Sequence, residues 1–467
     1  MAAASTTEAL RDALADAYAG RQGKASLTAR LVLKVEPRNP EAHYVLGIAA
    51  LVANQPQDGL TSFQEATRLA PREHRYIFAL GIALDRVGKR DESISAYQRA
   101  LAEKPGHFET AANLGSVLER AGRPAAAREA YAVALRAKPA EALVLHGIGL
   151  CHLALGDLPA AEAALRGAVN AQPSFAQAHN HLGTVLGRQG RRDEAIASIR
   201  EALRLRADYL QAWFSLAEHY LEAGFDQAAL EALDRTLALA PGHPGAHYLR
   251  SALTGVTIER PPSEYIKSAF DRFAPDFDAR LTEKLEYRIP EKMALFLKPL
   301  CKGPSQRVRL LDLGCGTGLS GRALRSMAGE LVGVDLSPGM LERARATGVY
   351  DALHECDITT FLRREEPGRW NVLVALDVFI YIGALGDAFE EAARVLPSGG
   401  LLAFSVERLD NEDGYALQRS GRYAHSRSYL DACASDAGLD CCALAEETIR
   451  LEHGEPVLGL VAAYRKP

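Results

Sequence analysis

Apolar and small positions in the first half of this chain return at one fixed interval. Large apolar residues stand at Phe63, Tyr97, Tyr131, Leu165, Ile199 and Leu233, each 34 residues after the one before. Leu46-Gly47, Leu80-Gly81, Leu114-Gly115, Ile148-Gly149, Leu182-Gly183 and Leu216-Ala217 keep the same beat. So do Pro37, Pro71, Pro105, Pro139, Pro173 and Pro241, with Ala207 on the skipped position. A period of this length predicts stacked pairs of helices, because one pair cannot bury its apolar face alone. Small residues let the paired helices approach, the large residue fills the gap, and proline ends the second helix. The pattern gives six good units over 40–243, a degenerate unit closing at Pro37 and a capping helix around Ala246–Leu253. An all-α segment over 1–255 is expected.

The rhythm changes after a linker at 256–262, where Pro261-Pro262 favours extended backbone. Ser263 to Leu297 is helical in character, with Phe270, Phe273 and Phe277 spaced to share a face. It falls in a segment, 263–307, expected to act as a helical lid. From Val308 onward, short apolar runs alternate with helical stretches: Val308–Asp312, Leu331–Asp335, Asn371–Asp377 and Leu401–Val406. Two later runs, Cys442–Glu446 and Val457–Tyr464, have no long helix between them. Over 308–467 this predicts a parallel, doubly wound sheet closed by an antiparallel hairpin.

Composition mainly excludes. An apolar fraction of 48% supports two or more cores, and a net charge of -5 argues against a general nucleic-acid binder. Apolar stretches are interrupted, as by Asp377 within Val372–Leu385, so no membrane span is expected. The seven cysteines are scattered without a CxxC pair, so neither a metal site nor a disulfide framework is expected. Cys441-Cys442 reads as adjacent buried thiols in a strand, and a reduced, cytoplasmic setting fits.

The chemistry is concentrated in Leu310 to Gly321, LLDLGCGTGLSG. A buried strand ends at Asp312; Gly314, Gly316 and Gly318 then make a tight turn into a helix, where a cofactor lies against the backbone itself. Asp335, 21 residues past Gly314, ends the second strand, where an acid can accept both ribose hydroxyls of a nucleoside. Two cofactors compete. Gly316 to Gly321 formally matches the dinucleotide pattern GxGxxG, but Asp312 would face the two negative charges of a pyrophosphate. S-adenosyl-L-methionine has no phosphate and carries cationic sulfonium and ammonium groups that a carboxylate favours.

The repeat half resembles tetratricopeptide (TPR) arrays, and the D-x-G-x-G-x-G run with its acid after the second strand resembles class I SAM-dependent methyltransferases. The second resemblance implies a Rossmann-like domain with a mostly parallel seven-stranded sheet. It also implies cofactor contacts from Cys315, Thr317, Leu336 and Met340, with Cys356-Asp357-Ile358 by the adenine and Asp377 beside the methionine end. For Met340 an ordinary core role, and for Asp357 a helix cap, are the plainer alternatives. The whole chain resembles bacterial predicted methyltransferases with N-terminal TPR repeats.

Acceptor signals are weaker. No Asn-Pro-Pro-aromatic signature is present, since the fourth strand reads Leu376-Asp377-Val378-Phe379-Ile380-Tyr381. A hydroxyl, carboxylate, amine or thiol acceptor remains open, with oxygen or nitrogen preferred. Tyr381 and a polar loop, Gly414 to Leu430, are expected over the methyl group. There His425 is the candidate base, the alternative being a hydrogen-bonded loop histidine, and Arg419, Arg422 or Arg427 could hold an acidic acceptor. Tyr265 and Tyr287 are lid candidates.

The resemblance implies that the TPR array is a partner-binding wall, lined here by Tyr44, Phe78, Ala112, His146, Asn180 and Phe214, then Ile48, Ile82, Ser116, Leu150, Thr184 and Glu218. An unidentified protein or peptide partner is expected there, with a small-molecule or peptide acceptor at the methyl end. The rival reading is a scaffold that binds SAM without turnover.

Overall fold

The computed structural model describes every residue except 1, 275–276, 280, 283–284, 302–307, 411–412 and 453. The side chains at 2–5, 273 and 279 also lie outside the description, so the expected place of Phe273 on an aromatic face is not addressed. The chain divides into two compact units, Met1–Ala207 and Asp208–Pro467.

The first unit is an all-helical TPR solenoid running from α1 (Ala2–Tyr18) to α12 (Arg192–Leu205). Its 34-residue period is visible in the helices, which begin at Pro40, His74, Phe108, Ala142 and Ala176 for the first of each pair. Close approach explains the glycines. A Cβ at Gly115 would stand 2.5 Å from the Tyr131 ring, and one at Gly147 2.6 Å from its other edge. Tyr131 thus fills the space both glycines leave open. Replacing Gly115 by valine should overpack this contact and destabilise the array by about 1–3 kcal/mol in thermal unfolding. Adding Tyr131→Leu should recover part of that loss.

The second unit starts with α13 (Leu210–Glu222), α14 (Asp226–Leu239) and α15 (Pro244–Thr254), which continue the repeat spacing. Next come α16 (Ser263–Phe273), a short α17 (Phe277–Ala279) and α18 (Ile289–Leu297). The sheet follows: β1 (Val308–Leu313), β2 (Ala328–Asp335), β3 (Ala352–Glu355), β4 (Val372–Ala375) and β5 (Leu401–Arg408). Between them lie α19 (Leu319–Leu324), α20 (Pro338–Thr347), α21 (Ile358–Arg364) and α22 (Gly386–Val395). β6 (Tyr415–Leu417), β7 (Tyr423–His425), α23 (Arg427–Asp436), β8 (Asp440–Glu452) and β9 (Glu455–Arg465) complete the chain.

Strands β3-β2-β1-β4-β5 are parallel, and β9 then β8 add antiparallel beyond β5. This is the Rossmann-like arrangement with its switch point between β1 and β4. Side chains on the two sheet faces feed separate cores: Leu311, Leu313, Val334, Leu373 and Phe404 on one side, Leu310, Leu331, Val374, Ile289 and Met293 on the other. Burial on both faces is what continuous apolar runs such as Val372–Ala375 require.

Two expectations are corrected. The sheet has nine strands among the described residues, not seven, because the expected polar loop at 414–430 folds into the β6–β7 hairpin and the start of α23. Glu407 pairs with Gly459 of β9 on one edge and Ala424 of β7 on the other. β7 therefore occupies the lane that β4 vacates after Ala375, at the carboxyl-end mouth of the sheet. Cys441 and Cys442 do lie in a strand, but both are exposed rather than buried.

Candidate functional site

The carboxyl ends of β1 and β2 hold the glycine turn between two carboxylates. Gly314, Gly316 and Gly318 have φ of 72°, 52° and 94°, backbone that side chains rarely adopt. A Cβ at Gly314 would strike Val378, whereas at Gly316 the nearest atom is on the Phe277 ring, 4.0 Å away. The turn is packed at its base and open at its centre. Asp335 holds it from β2: Oδ2 accepts from Gly316 N at 2.9 Å and Oδ1 from Ser337 N at 2.8 Å. A carboxylate has about four lone-pair sites, so acceptor capacity remains. Burial raises the Asp335 carboxyl above its ordinary range, opposed by these backbone bonds.

Asp312 is fully buried beneath the turn. Its Oδ2 accepts from Ser320 Oγ at 2.5 Å and Tyr350 OH at 2.7 Å, while Oδ1 has no partner. Burial pushes its carboxyl up to about 6, partly countered by Ser320 and Tyr350. A buried oxygen without a donor is costly, so this site fits a cationic or hydrogen-bond-donating ligand. A phosphate would meet Asp312 and Asp335 with like charge. Tyr350 also explains Gly321, whose N–H donates to the phenol oxygen at 3.1 Å and whose Cβ would overlap the ring.

The remaining expected residues divide. Met340 is buried, its N–H capped by Ser337 Oγ at 3.1 Å, and Leu336 lies in the adjoining turn. Ile358 is buried, and Asp357 caps α21 through Oδ1, accepting from Thr360 N at 2.9 Å. Thr317 Oγ1 bonds Asp278 of α17, which also holds Arg322 at 3.0 Å. Cys315 is buried facing Gly333, so its side chain packs into the sheet and only its backbone belongs to the turn.

Beyond β4, Asp377 takes a positive φ of 58° and accepts from Arg450 at 3.3 Å. Arg450, 2% exposed, also bonds Glu407, and its Nε has no partner. Arg422 reaches Glu452 at 2.6 Å and Tyr381 OH at 3.4 Å. The Phe270 ring meets Tyr381 edge-on, centroids 5.2 Å apart. Tyr287 is buried, and the nearby Asp377 and Asp312 charges join burial in raising its hydroxyl, with Arg450 opposing.

Three site expectations change. His425 is not a solvent-facing loop base: it is fully buried on β7, and its Nε2 donates to the carbonyls of Ile382 and Gly383 at 2.9 and 3.1 Å. Desolvation lowers it to about 4, so it is a neutral, structural imidazole at pH 7. Arg419, Arg422 and Arg427 stand beside carboxylates, Asp226, Glu452 and Asp431 respectively, so each already has an anionic neighbour, and Arg419 and Arg427 stay largely exposed while Arg422 is mostly covered. Tyr265 and Tyr287 separate, the first packing on Phe214 and Tyr248, the second on the sheet. Reasoning from the sequence missed Ser320, Tyr350, Asp271 and Asp278. Tyr350 is 38 residues from the carboxylate it serves, and no local pattern signals that pairing.

Along the repeats, Tyr44 packs on Phe63 and Tyr76, and His146 on Phe175 and His181, so these expected wall residues join adjacent helices. Asn180 differs: it is 1% exposed and its Oδ1 has no partner.

Residues 5–275, more than half of the chain, match the family model described as cilia and flagella-associated protein 70 C-terminal domain, and 311–404 match the methyltransferase domain model. Methyltransferase-like protein 27 of Homo sapiens is 37% identical over 119 residues, covering 25% of this chain and 46% of its own. Malonyl-(acyl-carrier protein) O-methyltransferase of Legionella pneumophila subsp. pneumophila is 28% identical over 175 residues, covering 36% and 58%. The chain thus spans about half the length of these curated relatives. The crystal structure of the APC/C hetero-tetramer Cut9-Hcn1 aligns with a TM-score of 0.42 at 20% identity, covering 51% of this chain and 48% of that one. The second unit carries a methyltransferase domain of a family that normally uses S-adenosylmethionine. No described helix is long and apolar enough to cross a membrane.

Proposed function

We propose, for a chain that belongs to the cilia and flagella-associated protein 70 C-terminal domain family, that its second half transfers a methyl group from S-adenosyl-L-methionine to an oxygen or nitrogen acceptor. The observation that carries this reading is Asp312, buried with one oxygen unpartnered under a glycine turn open at Gly316. Bound there, the cofactor supplies an activated methyl group on a cationic sulfur. The protein's own work is alignment and exclusion of water. Asp335 has acceptor capacity for the ribose hydroxyls, Asp312 faces the positive end, and Met340, Ile358 and the free side of Asp357 border the adenine. Tyr381, steadied by Arg422 and Phe270, orients the acceptor beside Asp377. With His425 committed to backbone carbonyls, the reaction proceeds without a histidine base, which suits an acceptor already deprotonated or one that loses its proton to water.

The repeats, 1–255 by sequence, recruit a protein or peptide in this reading, which the match to a TPR-type family model supports. A cytoplasmic setting and a bacterial lineage belong to the same proposal. Full-length protein incubated with cell extract and methyl-labelled donor should yield an acceptor gaining one methyl group. Binding of the donor with no labelled acceptor would instead favour the non-catalytic scaffold. Removing 1–207 then separates acceptor classes: turnover retained means a small molecule, turnover lost means a polypeptide held by the repeats. A cut at 255 would also remove Glu218 and Tyr248, which bond Arg272 and Gly421.

Binding should also release protons near pH 6. The raised Asp312 carboxyl favours its protonated form in the free protein, so its contribution to stability is lost as pH rises through about 6. A cationic ligand favours the ionised form instead. Calorimetry in buffers of different ionisation enthalpy should show more proton release near pH 6 than at pH 8. Asp312→Asn should reduce the release, leaving what Asp335 contributes.

A further inference from the structure

Helix α16 touches the last repeat with one face and the cofactor turn with another. Tyr265 and Arg272 are seven residues apart and share a face. The Tyr265 ring packs edge-on against Phe214, centroids 6.1 Å apart, and tilts against Tyr248 at 5.6 Å. Gly245 makes room for it, since a Cβ there would stand 2.7 Å from the Tyr265 ring. Arg272 makes a two-pronged bridge to Glu218, at 3.0 and 2.8 Å. Phe214 and Glu218 are the positions of α13 that the repeat pattern assigns to a partner-binding wall. In this repeat a helix of the same chain covers them.

The second face carries Lys267, Asp271 and Ala274, at helical spacings of four and three. Asp271 Oδ1 accepts from Ser337 Oγ at 2.5 Å and from Gly339 N at 3.2 Å. Lys267 pairs with Glu355 at the end of β3, and the Ala274 methyl would lie 3.3 Å from a Cβ at Gly339. Ser337 N meanwhile donates to Asp335. The turn after β2 is therefore gripped by Asp335 from inside the sheet and by Asp271 from α16. Where Asp271 stands depends on how α16 is seated.

We infer that Glu218 and Arg272 are positioning residues for the nucleoside site, acting through α16 and Asp271 on the Ser337–Gly339 turn. The last repeat is then a working part of the methyltransferase. This inference rests on the S-adenosylmethionine reading for its ligand, though not for the coupling itself. A guanidinium–carboxylate bridge is directional and two-pronged, so reversing one charge both breaks it and sets like charges together. Glu222 also acts on Arg272, which is why a full reversal at 218 is the informative change.

The test uses the full chain with Glu218→Arg, Arg272→Glu, the double exchange and the milder Glu218→Gln. Hydrogen exchange of the 336–341 amides is followed without cofactor, and adenosylhomocysteine affinity is measured by calorimetry. Each single reversal should speed exchange at Gly339 and weaken binding about tenfold, and the double exchange should restore most of both. Should a reversal fail to fold, Glu218→Gln is expected to give the same changes at a few-fold size. Lower thermal stability with wild-type exchange and affinity would overturn the inference, leaving the bridge as a surface brace. If the wild-type protein ignores adenosylhomocysteine yet exchange responds as described, the coupling stands and the cofactor reading falls.

Discussion

Asp335→Ala is expected to weaken adenosylhomocysteine binding about a hundred- to ten-thousandfold. Hydrogen bonds to a charged acceptor contribute about 1.5–3 kcal/mol each, and the proposal gives Asp335 two of them from the ribose. Asp335 also accepts from Gly316 N and Ser337 N, so its loss frees the glycine turn as well. Asn in its place keeps one carbonyl oxygen but not the charge, and an intermediate affinity is expected. Titration calorimetry on both variants checks this. Wild-type affinity in Asp335→Ala would remove the nucleoside from the end of β2.

Arg450→Met should have the largest effect on stability. The guanidinium sits at 1% side-chain exposure between Asp377 and Glu407, with Glu452 at 4.0 Å. Removing one partner of a buried ionic group costs about 3–5 kcal/mol, because the opposite charges stay behind unpaired. For a unit of this size that lowers the unfolding midpoint by roughly 6 °C or more. The loss should grow with pH. Burial already raises the Glu407 carboxyl, with Arg450 the leading opposing influence, so deleting Arg450 raises it further. A raised acid contributes stability at low pH that is lost as pH climbs through its folded value. Thermal scans at pH 5 and pH 8 should therefore show a wider gap from wild type at pH 8.

The repeat half was legible because its period is itself the structure. One Gly115–Tyr131 contact, repeated at Gly81–Tyr97 and Gly183–Ile199, fixes each helix pair. The glycine turn and its two acids were legible for a similar reason: backbone that needs positive φ leaves few residue choices. The polar stretch at 414–430 was not. Its apolar positions are too few to look like strands, and it pairs only because β5 outlasts β4 and leaves an open edge at Glu407 and Arg408. His425 followed the same logic, since a histidine cannot be told from a loop base until the carbonyls of Ile382 and Gly383 are seen beneath it. Asp271 and Tyr350 act across 66 and 38 residues, distances at which a single sequence carries no pairing signal.

In the proposed reading, the crevice between β1 and β4 takes a phosphate-free nucleoside that presents an ammonium, with or without a sulfonium, to the buried carboxylate. Side-by-side calorimetric titration of the wild-type chain with adenosylhomocysteine and with a nicotinamide dinucleotide tests it most directly. Saturable micromolar binding of the first and none of the second is predicted. Tight binding of the dinucleotide, with no heat from adenosylhomocysteine at millimolar concentration, would contradict the account.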